Sequence, residues 1–166
     1  AGNLKEVFGR IREKIDREMD EKRNVDKLRE YYMESIPILQ ENFYTSLIDG
    51  RIPEDEIDRY VDDYQISLTG PYYVVSILHI STTNIPPNMN TFLLGVSVKK
   101  LAEEHMEDEW KSRILMYLGD IVVITQLESQ EQITEFTDFM DQLCRLAKHV
   151  CEATVTAGIG YVSNNL

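Results

Sequence analysis

The 166-residue chain has only two cysteines, Cys144 and Cys151, seven positions apart in an amphipathic stretch. Two helical turns separate such positions by about 10 Å, too far for a disulfide. Both are expected to be reduced, packed thiols in a cytoplasmic protein rather than a redox pair. Long apolar runs are also absent. The longest, Tyr72 to Ile80, is broken by Ser76 and His79, whereas a membrane helix needs about 20 apolar residues. The N-terminal residues carry no signal-peptide pattern. Basic residues are scarce, 17 Lys and Arg against 29 Asp and Glu, for a net charge of −12. No basic stripe exists to neutralise phosphates, so the chain by itself reads as a poor DNA binder. No P-loop, Gly-x-Ser-x-Gly or His-Glu-x-x-His motif is present.

What remains is ordinary globular composition, 43% hydrophobic and 28% charged, inconsistent with disorder. The charge is unevenly spread. Residues 1–34 hold nine basic and nine acidic side chains, leaving eight basic against twenty acidic in 35–166. Within the balanced part, Leu4, Phe8, Ile11 and Ile15 open a heptad that continues through Glu18, Lys22, Val25, Arg29 and Tyr32. The seam is apolar at both ends and polar in the middle. The pattern predicts a linker helix over 1–34 that pairs with a copy of itself; the alternative is a helix lying on its own domain. The second domain is expected to span 35–166. Pro37 predicts a kink or a new first turn near Ser35. Helices are then expected over 37–49, ending at Asp49-Gly50, and over 54–64, with Ile57, Tyr60, Val61 and Tyr64 as the buried face of the latter.

Thr69-Gly70-Pro71 reads as a turn. Tyr72–Ile80 reads as a central strand covered on both sides, and residues 81–90 as a loop. A helix follows from about Asn90 to Met106. Trp110–Tyr117 and Ile121–Leu127 form a hairpin through Leu118-Gly119-Asp120. Ser129 and Gln132 form a capping-box pattern before a helix to about Val150, with Ile133, Phe136, Phe139, Met140, Leu143, Leu146, Ala147 and Val150 inward. Ala153–Tyr161 is the last strand. The fold class is α+β: a long N-terminal helix and short helices, then a β-α-β-β-α-β ferredoxin-like antiparallel sheet.

This order, with the hairpin Tyr117-Leu118-Gly119-Asp120-Ile121 and the terminal Gly158-Ile159-Gly160 strand, resembles the nucleotide-cyclase palm of GGDEF domains. More specifically, the chain is similar to the middle region of YesN-type response regulators of the AraC family. The segments Leu39–Phe43, Leu47–Gly50, Pro53–Asp63 and Gly70–Val75 carry that likeness. The resemblance implies a receiver before this piece and DNA-binding helix-turn-helix units after it. The chain itself would then be a signal-relay and dimerisation module, a homodimer through Leu4, Phe8, Ile11, Ile15, Val25 and Tyr32. A sensor histidine kinase and DNA would be reached only through the other domains.

An active cyclase, as the resemblance implies, needs carboxylates for two metals and a glycine-rich hairpin for GTP. Here Leu118 replaces the first hairpin glycine, Ile121 replaces the essential glutamate, and His79-Ile80-Ser81 offers no first-strand carboxylate. A lone Asp120 cannot hold two magnesium ions. No catalytic residue, cofactor or metal is therefore expected, and Gly119 and Asp120 read as turn residues. His79 reads as a hydrogen-bonded core or edge histidine rather than a ligand. Glu104-His105 with Glu107–Glu109 reads as a solvated helix end. His149 and Cys151 lack further ligands for zinc. The alternatives are a metabolite sensor with a pocket between the acidic helix and the palm, or a cyclase relic that still binds GTP.

Overall fold

The structure, a computed structural model, describes residues 2–68, 70–83 and 85–164. Its first element, α1 (Gly2–Ile48), is one unbroken helix. Apart from Gly9, nothing between Asn3 and Ser35 breaks helical geometry, and the charged residues there are mostly good helix formers. Pro37 lies inside it, so of the two outcomes expected there a new first turn does not occur. Its missing N–H leaves the Met33 carbonyl without a helical donor, and beside that carbonyl Ser35 Oγ donates to the Tyr32 carbonyl at 2.8 Å. The chain forms two compact units, dividing between Tyr44 and Thr45.

In the first unit, residues 3–34 are exposed throughout. Ile36, Phe43 and Tyr44 are its buried side chains among the described residues, with the Phe43 and Tyr44 rings in edge contact.

In the second unit, Pro53 precedes a 3-10 turn (Glu54–Glu56) that leads into the short helix α2 (Ile57–Asp63). The predicted inner face of α2, including Tyr64, is only half-buried. The sheet comprises β1 (Tyr72–Ile80), β2 (Lys111–Tyr117), β3 (Asp120–Leu127) and β4 (Val155–Ile159). Their order is β2-β3-β1-β4, with every neighbouring pair antiparallel. Helix α3 (Thr91–Met106) links β1 to β2, and α4 (Gln132–Cys151) links β3 to β4. This is the ferredoxin-like plan. The expected turn at Thr69 and the 81–90 loop each include one residue, Thr69 and Asn84, outside the described set.

Alternation along β1 puts Val74, Leu78 and Ile80 into the core with Ile121, Val123 and Leu127 of β3 and Leu94, Val98, Phe136 and Met140 of the helices. Trp110 closes one end, edge-on to Phe136. The strand is central, as expected, but is not covered on both sides. Val75, Ile77 and His79 on its other face are exposed, because both connecting helices pack on the Val74–Leu78 side. Val150 is exposed rather than inward; on α3, Phe92, Leu93 and Val96 are exposed too. Asn90 caps α3, its Oδ1 accepting the Leu93 N–H at 2.8 Å. The capping box before α4 forms differently. Gln132 Oε1 accepts from the Glu128 N–H, and no side chain caps the helix.

Candidate functional site

The residues singled out by the cyclase-like pattern lie at one end of the sheet, His79 and Asp120 on the face opposite α3 and α4 and Ile121 on the core face. The pairing of Leu78 with Ile121 and of Tyr117 with Asp120 sets this register. His79 leaves β1 one residue later, beside the start of β3. Its Nδ1 lies 2.8 Å from Asp120 Oδ1. Both side chains are substantially exposed, so His79 is a surface residue on a central strand rather than a core or edge one. In this setting the pair contributes little to stability.

Between β2 and β3 the chain turns through Leu118 (φ 51°) and Gly119 (φ 85°). Two successive positive φ values are the signature of a type I′ turn, which matches strand twist. Gly119 takes that conformation freely, whereas Leu118 does so at a cost. The Leu118 side chain stands 88% exposed at the tip. Ile121, one step into β3, is fully buried. An acidic group there would face the core, where an unpaired carboxylate is strongly disfavoured. At the end of β2, the Tyr117 hydroxyl donates to an Asp49 carboxylate oxygen. That hydrogen bond is the main reason the Tyr117 phenol titrates above its ordinary range. Sequence reasoning missed this contact because Asp49 and Tyr117 are distant along the chain and each looks like an ordinary surface residue.

The arrangement thus offers one carboxylate, Asp120, already engaged by an imidazole. Nearby, Ser81 Oγ lies 2.8 Å from Thr83 Oγ1. Among the described residues, no three His, Cys, Asp or Glu side chains group as metal ligands. Glu104, His105 and Glu107–Glu109 are exposed at the end of α3. His105 and Glu109 there border a cavity of about 200 Å³ against Phe139 and Leu143 of α4. A second, open groove of about 650 Å³ runs beside Tyr72, Gln130 and Tyr161; no residue of the acidic helix lines it. Gly158 pairs with Ile77 in the β1–β4 ladder, and a Cβ on Gly160 would press on the Val75 carbonyl at 3.1 Å. Gly160 thus serves the close approach of the chain to β1, while a side chain at Gly158 would meet open space.

Cys144 and Cys151 are free and half-buried. Burial raises both thiols above their ordinary range, with Asp141 adding to the effect at Cys144. Leu4, Phe8, Ile11, Ile15, Val25 and Tyr32, the residues of the expected seam, all lie exposed on α1. No helix among the described residues is long and apolar enough to cross a membrane. No protein-family model, curated protein or solved structure matches the chain.

Proposed function

We propose that this chain is a non-catalytic signal-relay and dimerisation module of a cytoplasmic AraC-type response regulator. It receives its input from a receiver domain and passes it to DNA-binding domains. The observation that carries the reading is the exposed apolar stripe of α1, Leu4 to Tyr32, on a segment whose charges balance. Such a stripe is stable in water when covered, and a heptad stripe is covered by another helix. The absence of catalysis is supported by the hairpin. Leu118 occupies its tip, Ile121 is buried where a carboxylate would be needed, and Asp120 is bonded to His79.

The test is solution mass by light scattering, on residues 1–166 and on a version starting at Ser35. The expected result is a dimer that becomes a monomer on truncation. A monomer in both would defeat the reading. A thermal-shift titration with GTP and Mg²⁺ separates it from a cyclase relic. No shift at millimolar nucleotide is expected, because a bound ligand must raise the midpoint by mass action.

A further inference from the structure

The heptad on α1 places Leu4, Ile11, Glu18, Val25 and Tyr32 at d positions and Phe8, Ile15, Lys22 and Arg29 at a positions. All are exposed. A parallel pair of such helices sets each seam residue against itself, so Glu18, Lys22 and Arg29 give three like-charge layers. Beside the seam, Glu21 at g would meet Asp26 at e of the other copy. Such layers are strongly unfavourable when an interface removes water from them.

Reversing one helix removes nearly all of this repulsion. With a two-fold axis at Asp20, seam residues whose numbers add to 40 face each other. Ile15 then meets Val25 of the second copy, Phe8 meets Tyr32, and Glu18 meets Lys22 in two symmetric opposite-charge contacts. Ile11 meets the stem of Arg29, whose guanidinium reaches solvent. On the flanks the facing e positions add to 38, so Arg12 lies beside Asp26 of the second copy and Met19 beside its own copy, one residue from the axis. Met19 is itself an exposed large apolar side chain, and only the reversed arrangement covers it with another apolar group. Glu21 near its own copy is the like-charge contact left, on an outer flank where water screens it.

We infer that α1 binds a second copy of this chain in the antiparallel sense, over residues 8–32, about 25 residues or ~37 Å of helix. The inference rests on the proposed dimerisation reading and adds its direction. It also gives the relay a regulatory element: parallel pairing, which would align two receivers and two DNA-binding units, requires an outside input to overcome the like-charge layers.

The experiment places nitroxide labels on the outer face of α1 in the full chain, at Glu6→Cys or Asp20→Cys, with Cys144→Ala and Cys151→Ala removing the native thiols. Distances between copies are read by pulsed electron resonance. The antiparallel pair puts the two position-6 labels about 40 Å apart along the axis and the two position-20 labels level with each other. Equal short distances at both positions overturn the antiparallel inference and leave the dimer standing. Absence of any inter-copy coupling, with a monomer by light scattering, removes the dimerisation reading itself. A second measurement needs no labels. Glu18→Lys should raise the dissociation constant about tenfold by setting two lysine pairs together, and Glu18→Lys with Lys22→Glu should restore it. In a parallel pair the double reversal keeps both like-charge layers and restores nothing.

Discussion

Single residues show where backbone geometry and side-chain chemistry disagree. Leu118 is the clearest case: a γ-branched apolar side chain at φ 51° with 88% of its surface in water. Neither the backbone nor burial favours leucine there. Asparagine tolerates that conformation and is preferred in type I′ turns. Leu118→Asn should therefore stabilise the second unit by about 0.5–1 kcal/mol, read as a raised urea midpoint; an unchanged or lowered midpoint would mean that Leu118 makes contacts in solution that the turn geometry does not require. The acidic hydrogens of Tyr73, Cys144 and Cys151 give a second expectation. Burial raises all three, so each keeps its proton longer in the folded chain than in the unfolded one. Their contribution is fully present below the ordinary thiol and phenol range. As the pH climbs above that range the unfolded chain ionises first, and stability falls. Urea midpoints should be flat from pH 7 to 8 and decline by pH 10, with both thiols slow toward disulfide reagents at pH 7.

At the scale of elements, legibility followed the strength of the local signal. Strand β1 was readable to its end residues, because a nine-residue Val, Ile and Tyr run between a Gly-Pro turn and a polar loop leaves little choice. The hairpin was readable from Gly119. Which faces are covered was not, since that depends on where the connections pack: Val75, Ile77, Phe92 and Val96 are as apolar as their buried neighbours. The Tyr117–Asp49 bond was illegible for the same reason, as a product of tertiary placement. The expectation of a new first turn at Pro37 came from weighing a local rule alone. A proline costs a helix about 3 kcal/mol, and a long helix with strong formers on both sides can absorb that. Pro37 is exposed, so Pro37→Ala should restore the hydrogen bond to Met33 without disturbing a core. Stability should rise by about 1–3 kcal/mol, with no loss of helical ellipticity at 222 nm. A fall in stability would show that the proline sets a bend the chain needs.

For the whole molecule, the net charge of −12 lies in residues 35–166, while residues 1–34 are neutral in sum. Two copies repel one another through their acidic parts, so the neutral helix is the surface on which they can meet most easily. Its apolar stripe is separate in sequence from the core of the second unit, which is built from Val74, Leu78, Leu94, Phe136, Met140 and their neighbours. Association and folding should therefore come apart under mutation. Ile11→Asp with Ile15→Asp removes two apolar side chains from the seam and sets a carboxylate against Val25 of the other copy, at a loss of about 1.5–3 kcal/mol per apolar side chain, which at position 11 the facing Arg29 offsets in part. The symmetry of the pair doubles these losses, and its polar middle leaves few other apolar layers to hold it. The double variant should be a monomer by light scattering at concentrations where the parent is a dimer. Its sheet unit, untouched, should melt with the parent's cooperativity once the parent is diluted to monomer, because a dimer's midpoint depends on concentration and a monomer's does not. A variant that stays dimeric would move the self-association surface away from α1, and the exposed Val75–Ile77 face of the sheet would be the next place to look.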